Sequence, residues 1–237
     1  MIIKRIAMAA VLAAAIHPAQ AHDIWLTAGP GRVEVHYGHP ADASLPDKAR
    51  LFELTAIPAG GKAVSLLDQI GTGDGMLTAA APKAAVVAAR YDNGFWAQTT
   101  QGFRNTNRRN LPDALKSMWS QKFAKLLLPG DGVTQVVGHR LEIVPLADPF
   151  RLKPGEKLKV RVDYAGKPLA GAEVEIGNGK TKEDKPRKIA VDANGSADVV
   201  LAAGQTVLTV VHRVPGSVPD LAAEDMLAAT LAFATAP

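Results

Sequence analysis

The stretch Arg32-Val33-Glu34-Val35-His36-Tyr37 indicates what kind of fold this chain adopts. Apolar and polar residues alternate along it, so the two valines and Tyr37 lie on one face of an extended strand, while Glu34 and His36 lie on the other. A strand with one apolar face needs a second layer of structure to cover that face. The stretch therefore predicts a half-buried strand of a β-sandwich.

The same alternation recurs in the second half of the chain, where apolar residues from Leu158 to Tyr164 are interleaved with charged ones. Sixteen prolines and twenty-one glycines separate short apolar runs, as is typical of many short strands joined by turns. With 237 residues the chain is long enough for two domains, and the proline-bounded segment 145–154 is interpreted as their junction. We predict a mainly β protein with two immunoglobulin-like β-sandwich domains, over residues 22–147 and 148–237.

One segment departs from this pattern. Apolar residues within 115–127 recur at helical spacing, Asn110 is suited to cap a helix, and Pro112 would lie in its first turn. Pro129-Gly130 is a typical stop signal. We therefore predict one amphipathic helix over 111–128, packed on the first sandwich.

The first 21 residues have the composition of a secretory signal peptide. Lys4 and Arg5 precede an eleven-residue apolar run, and Ala19-Gln20-Ala21 has the small-x-small form that signal peptidase cleaves. The apolar run is too short to span a bilayer, which requires about 20 residues. We predict cleavage after Ala21, with an uncleaved anchor as the alternative, and both place the protein outside the cytoplasm.

Composition excludes several classes of function. Removal of residues 1–21 lowers the formal net charge from +4 to +2, and no basic patch is dense enough to indicate nucleic-acid binding. The chain has no cysteine, which excludes disulfides, thiolate metal sites and cysteine nucleophiles. No serine lies in a Gly-x-Ser-x-Gly elbow. Metal chemistry must therefore use nitrogen and oxygen ligands, and no membrane span is expected after cleavage.

Cleavage after Ala21 would create a chelating first residue. The free amine and the imidazole of His22 can bind one divalent metal ion together, because their reference pKa values of about 7.7–8.0 and about 6.5 require only modest deprotonation. In the uncleaved chain the same nitrogen of His22 is an amide. The sequence therefore predicts a metal ligand that processing creates.

Further histidines lie at predicted strand ends. A regular strand directs His36 and His39 to opposite faces, but a bend at Gly38 can bring them together. His212 begins a loop of the second domain and joins a common site only if the two domains meet there. The alternative reading is that these histidines are solvated polar residues. His139 ends an apolar row, a position more typical of a core histidine with a satisfied hydrogen bond.

Seven segments, taken in order, carry a resemblance to a known family: His22-Asp23-Ile24-Trp25-Leu26, His36-Tyr37-Gly38-His39-Pro40, Tyr91-Asp92-Asn93-Gly94-Phe95-Trp96, Ser120-Gln121-Lys122-Phe123-Ala124-Lys125, Leu141-Glu142-Ile143-Val144-Pro145-Leu146, Gly166-Lys167-Pro168-Leu169-Ala170-Gly171-Ala172 and His212-Arg213-Val214-Pro215. They resemble the periplasmic proteins associated with bacterial nickel and cobalt uptake systems, a family long catalogued as a domain of unknown function. The resemblance implies a periplasmic, metal-binding accessory of transport. It also implies that His22, His36, His39 and His212 form the metal-binding set, whereas His139 lies in none of the seven segments.

Three functions remain open on the sequence. The leading hypothesis is a binding protein, not an enzyme, that captures Ni(II) or Co(II) and delivers it to an inner-membrane importer or an outer-membrane receptor. The second is a copper(II) protein with the same terminal-histidine brace, a chaperone or a polysaccharide oxygenase, since imidazole also suits copper and zinc. Only twelve aromatic residues and no disulfides weigh against the oxygenase. The third is a structural or carbohydrate-binding sandwich with incidental histidines.

Overall fold

The computed structural model describes residues 22–39, 42–80, 82–180 and 187–235. These residues form eighteen strands and three short 3₁₀ helices, so the prediction of a mainly β protein is confirmed. The predicted signal peptide, residues 1–21, lies outside the described residues. In the part of the chain that the structure describes, no helix is long and apolar enough to cross a membrane.

The strands are, in chain order, β1 (Asp23–Gly29), β2 (Arg32–His39), β3 (Asp42–Ser44), β4 (Leu51–Ile57), β5 (Val64–Ser65), β6 (Gly71–Gly73), β7 (Met76–Ala80), β8 (Val86–Thr99), β9 (Gly102–Arg104), β10 (Lys116–Leu127), β11 (Leu141–Pro145), β12 (Lys157–Tyr164), β13 (Lys167–Pro168), β14 (Glu173–Gly177), β15 (Arg187–Ala190), β16 (Ser196–Val200), β17 (Gln205–Pro215) and β18 (Glu224–Ala234). The 3₁₀ helices are Lys48–Arg50, Leu67–Gln69 and Pro149–Arg151.

The strands are arranged in three sheets. The front sheet has the order β1-β2-β7-β6, with β3 paired to β2. The central sheet has the order β15-β14-β17-β18-β10-β8-β4-β5, with β9 paired to β8. The back sheet has the order β11-β12-β13, with β16 paired to β12.

The central sheet is the middle of three layers, as the side chains of β10 show. Ala124 and Leu126 belong to the core that the front sheet covers. Phe123 and Leu127, which point the opposite way along the same strand, belong to the core that the back sheet covers. Each outer sheet therefore packs on one face of the central sheet and buries its own apolar cluster.

The helix predicted over 111–128 is wrong. Most of this segment is β10, a twelve-residue strand that is antiparallel to β8 on one side and parallel to β18 on the other. β10 is covered on both faces and carries buried polar residues on both, including Lys122 and Lys125, so it lacks the polar-apolar alternation of a half-buried strand. Its apolar residues recur at helical spacing instead, which explains the error.

The predicted boundary between residues 147 and 148 falls between β11 and the 3₁₀ helix Pro149–Arg151. Strand β11 precedes the boundary but pairs with β12, which follows it. The central sheet likewise combines β4, β8 and β10 with β14, β17 and β18. The two predicted sandwiches therefore share one sheet, and a site near β10 is held by strands from both.

Candidate metal centre

The hairpin of β1 and β2 places two of the predicted ligands side by side. Its antiparallel register pairs Asp23 with Gly38, so His22, just before β1, lies opposite His39 at the end of β2. The two imidazole rings are 5.1 Å apart between centroids and nearly perpendicular, at 80°. We call His22 and His39 the histidine pair.

The spacing of the histidine pair fits joint coordination of one metal ion. With metal–nitrogen bonds of about 2.0–2.1 Å, two imidazoles on one metal have ring centroids roughly 4.5–6.5 Å apart, depending on the angle between them. The observed separation of 5.1 Å lies inside that range. The ring separation is therefore compatible with one ion between the rings, provided that His22 Nδ1, 3.4 Å from the Tyr37 hydroxyl, turns towards the ion.

A chain of hydrogen-bonding groups connects His22 of the pair to the central sheet. His22 Nδ1 lies 3.4 Å from the Tyr37 hydroxyl, which donates to Asn93 Oδ1 at 2.8 Å. Asn93 in turn donates to Ser120 Oγ at 3.3 Å. Burial, and to a smaller extent the neighbouring Tyr91, raises the pKa of Tyr37 to about 12. The phenol is therefore neutral at physiological pH and orients His22 without adding charge.

A buried lysine lies on the same side of the central sheet. Lys122 of β10 is 1% exposed, and its Nζ lies 3.2 Å from Asp23 Oδ1. Burial lowers the pKa of Lys122, while Asp23 acts in the opposite direction. The pKa of His22 is lowered first by its own burial and then by His39 and Lys122. These effects favour the neutral imidazole, which is the form that binds a metal ion.

Gly38 fixes the position of His39. Its φ angle of +114° lies in a region that favours glycine. A Cβ atom at this position would lie 2.9 Å from the Asp42 carbonyl oxygen of β3, which pairs with the end of β2. The second histidine of the pair is therefore held by a close backbone approach that a side chain at Gly38 would disturb.

The structure does not bring His36 to the histidine pair, contrary to the predicted convergence. Its ring stacks on Trp25 with centroids 5.1 Å apart and an interplanar angle of 10°. His36 Nε2 lies 2.8 Å from Thr27 Oγ1 and 3.6 Å from Glu34 Oε2. The alternation of β2 persists through Gly38, so His36 stays on the other face of the front sheet. Burial is the main cause that lowers its pKa.

His212 and His139 also lie apart from the histidine pair. His212 is in β17 on the back side of the central sheet, where its ring meets Tyr164 with centroids 4.8 Å apart. His139 is 6% exposed and packs on Phe123 with ring centroids 5.3 Å apart. His139 is buried as predicted, but its Nε2 has no hydrogen-bond partner among the described residues, contrary to the satisfied hydrogen bond expected of it. The central sheet separates both histidines from His22.

One protein-family model matches the chain. It covers residues 19–214, more than four fifths of the sequence, and is described as a domain of unknown function, DUF4198. The chain belongs to this family. No curated protein matches the sequence. The DUF4198 match includes every histidine considered above, and the family description assigns no function, so the chemistry must be argued from the residues themselves.

Within the described part of the DUF4198 domain, no group of three or more His, Asp, Glu or Cys side chains is arranged to hold a metal ion. The histidine pair supplies two side chains. A third nitrogen close to His22 would be its own terminal amine in a processed chain. Whether this site has a third nitrogen ligand therefore depends on whether cleavage makes His22 the first residue.

Three residues that lie around the histidine pair, Tyr37, Asn93 and Lys122, were not predicted from the sequence to do so. Alternation places Tyr37 on the same face as His39, which was a usable signal. Asn93 reaches Tyr37 because β8 carries a bulge there, with Ser120 paired to Gly94 and Gln121 paired to Asp92, and bulges leave little trace in a single sequence. Lys122 was not predicted, because a helix over 111–128 gave no reason to bury this residue.

Proposed function

We propose that this protein binds a divalent metal ion, Ni(II) or Co(II), at the histidine pair in the bacterial periplasm. The observation that carries the proposal is the 5.1 Å separation of the His22 and His39 rings at the start of the mature chain. The proposed ligands are the terminal amine and Nδ1 of His22, which close one chelate ring, and one nitrogen of His39. Metal binding replaces the contact of His22 Nδ1 with the Tyr37 hydroxyl. His36 and His212 are not part of the proposed ligand set.

The resemblance of seven segments to proteins of nickel and cobalt uptake supports the choice of metal and a role in transport. In this proposal the protein is a carrier, not an enzyme, and passes the ion to an inner-membrane importer or an outer-membrane receptor. The site is suited to release as well as capture, because protons compete for each nitrogen ligand. The neutral Tyr37 hydroxyl stays beside His22 when the ion leaves.

Copper(II) is the second candidate, and the number of nitrogens favours it. One amine and two imidazoles form an all-nitrogen set, and sites of this kind generally bind Cu(II) more tightly than Ni(II) or Zn(II). Asp23, the nearest carboxylate in the chain to His22, is engaged by Lys122 at 3.2 Å. Such a protein would be a copper chaperone or, less well supported by its few aromatic residues, an oxygenase.

Calorimetric titration with Ni(II), Co(II), Cu(II) and Zn(II) tests the proposal on protein whose first residue is verified as His22 by mass spectrometry. A second preparation carries one extra residue before His22. The extra residue converts the amine into an amide and opens the chelate ring, so we expect affinity to fall by at least about 10–100-fold. The fold should survive, because termini tolerate extension.

The order of affinities among the four metals separates the nickel or cobalt proposal from the copper one. Equal affinity of the native and extended proteins for every metal would remove the terminal amine from the site. It would also remove the main reason to regard the histidine pair as a metal site.

A further inference from the structure

Two adjoining cavities open on the back side of β8 and β10, across the central sheet from the histidine pair. The larger has a volume of about 540 Å³ and the smaller about 390 Å³. Phe52 and Asp92 line both cavities, which therefore adjoin at these two residues, and we consider them together as one groove. We call it the back groove. Its size is in the range of small-molecule sites, about 300–1,000 Å³.

Aromatic rings are concentrated in the back groove. Trp119 lines the larger cavity and Phe95 the smaller, and the two rings stack with centroids 5.5 Å apart at 25°. Trp119 Nε1 donates to Asp92 Oδ1 at 2.8 Å, which fixes the indole. Phe52, on the wall shared by both cavities, is 57% exposed. With Phe123 and Tyr91, five of the twelve aromatic residues of the chain line this one groove.

Hydrogen-bonding groups of both kinds surround these rings in the larger cavity. Glu53 provides carboxylate acceptors and Arg90 provides guanidinium donors, with Arg90 Nε 3.4 Å from Glu53 Oε2. Gln121 and His139 line the same cavity, and each has a buried side-chain nitrogen without a hydrogen-bond partner among the described residues. At 3.5 Å from Glu53 Oε1, His139 Nε2 lowers the pKa of that carboxyl but is too distant for a well-formed hydrogen bond.

The smaller cavity is also lined by hydrogen-bonding groups, most of them neutral amides. Asn105, Asn107 and Asn110 line it together with Arg50. Arg50 is already engaged, because it donates to the Asn93 carbonyl oxygen at 2.8 Å and to Asn105 Oδ1 at 3.1 Å. Each of the four cations that line the back groove is paired with a carboxylate: Arg50 with Asp47, Arg90 with Glu53, Lys122 with Asp23 and Arg140 with Asp225. This pairing weakens the field of the groove, so the groove does not favour a strongly charged ligand.

We propose that the back groove binds a neutral oligosaccharide. A sugar hydroxyl both donates and accepts hydrogen bonds, which matches a lining where Glu53 accepts while Arg90 and Gln121 donate. The apolar faces of sugar rings pack on flat aromatic surfaces such as Phe52 and Trp119. The amide nitrogen of Gln121 is buried, so its side chain must rotate towards the cavity to donate to the ligand. The two cavities in line provide room for successive sugar units. This site is separate from the proposed metal centre and does not depend on it.

The test is calorimetric titration of the chain beginning at His22 with maltotriose, cellotriose and tri-N-acetylchitotriose. We expect at least one of these probes to bind. Phe52→Ala should then weaken binding roughly fivefold to tenfold, because it removes one stacking surface. Arg90→Gln should weaken binding by a similar factor, because it removes a charged donor. Leu115→Ala is the matched control, since Leu115 is 63% exposed and lines neither cavity.

Circular dichroism and urea unfolding of each variant establish that the fold is unaffected. Failure of all three sugars to bind at millimolar concentration overturns the proposal. Equal losses in Phe52→Ala and Leu115→Ala also overturn it, because they would show that the sugar binds elsewhere. Binding of benzoate or benzylamine in the groove without any sugar would assign it to a small charged ligand instead.

Discussion

Two buried lysines of β10 show how differently the two faces of the central sheet are built. Lys125 points to the back sheet, where its Nζ donates to Glu142 Oε1 at 2.6 Å and to the Gln135 carbonyl oxygen at 3.3 Å. Glu142 also accepts the backbone N–H groups of Val137 and Gly138, both at 2.8 Å. The ion pair is almost fully buried, with exposures of 2% and 1%. It fastens β10 to β11 and to the loop before β11.

Lys122 points to the front sheet and has fewer hydrogen-bond partners than Lys125. Its carboxylate partner, Asp23, is 26% exposed and lies 3.2 Å away, and an ammonium group has three hydrogens to donate. On the back side, a buried lysine with two acceptors faces a carboxylate whose two oxygens both accept hydrogen bonds, and these contacts stabilise one geometry. On the front side, a buried charge with spare donors lies beside titratable histidines, which is an arrangement more typical of a functional site.

The largest effect should come from breaking the back-side pair. Glu142→Gln leaves the Lys125 charge buried without its carboxylate, so we expect a loss of about 3–5 kcal/mol in the free energy of unfolding. Urea unfolding followed by circular dichroism measures this loss. The double variant Lys125→Met, Glu142→Gln should recover much of it, because it removes the buried charge and keeps an amide oxygen as an acceptor for the loop N–H groups. A loss below about 1 kcal/mol in Glu142→Gln would show that the pair contributes no more than a surface ion pair.

The next largest effect should separate the histidines on the two sides of the sheet. His39→Ala removes one ligand of the proposed centre, so nickel affinity should fall by at least about 10–100-fold. His212→Ala, beyond the central sheet, should leave nickel affinity unchanged. Titration of both variants beside the unmodified protein provides the comparison. An equal loss in the two variants would mean that the ligands come from both sides, and the pair described here would be incomplete.

Lys122→Met should change nickel affinity less than His39→Ala does, and in the opposite direction. Removing a positive charge near the site should raise the affinity for a divalent cation by about tenfold. Asp23 is then free to act as an oxygen ligand, so Mn(II) should gain more than Ni(II). Stability should change by no more than about 1 kcal/mol, because Asp23 remains partly solvated. Unchanged selectivity between Mn(II) and Ni(II) would show that Lys122 acts only in folding.

The smallest effect is a dependence of stability on pH. The pKa values of His22, His36 and His212 are all lowered in the folded protein, chiefly by burial. Below the ordinary histidine pKa of about 6.5, the unfolded chain therefore binds more protons than the folded one, and stability falls as pH falls. Urea midpoints measured in metal-free buffer between pH 8 and pH 5 should decrease towards acid. His36→Gln should flatten this decrease, and a midpoint constant across the window would contradict the burial argument.

Much of the fold follows from residue patterns, and its main error has a physical cause. Period-two alternation predicts β2 and β12 correctly because each has one covered and one more open face. The same reasoning fails for β10, which is covered on both faces and therefore lacks alternation. Only the pairing with β18, which lies about a hundred positions later in the chain, reveals that β10 is a central strand, and pairing at such distance has no local signal.

The candidate site was predicted in part for similar reasons. Hairpin register brings His22 and His39 together, and both were named from the sequence. The alternation of β2 already placed His36 on the other face, and the bend expected at Gly38 was given too much weight. His212 was included through family resemblance, whereas the three-layer arrangement places it behind the central sheet. Sequence order alone does not reveal which side of a shared sheet a residue faces.

The pairing of β10 with β18 also determines when the molecule can fold. Thr230 of β18 donates to the Ile24 carbonyl oxygen of β1 at 2.9 Å, across 206 positions of sequence. Contacts of such long range form slowly, in milliseconds to seconds for β proteins. When the chain appears outside the cytoplasm N-terminus first, one edge of β10 stays unpaired until β18 follows. During this interval the unpaired edge is open to aggregation and proteolysis. The β1–β2 hairpin that carries the histidine pair can form early, but β10, which carries Lys122 beneath this pair, gains its second neighbouring strand only when β18 pairs with it.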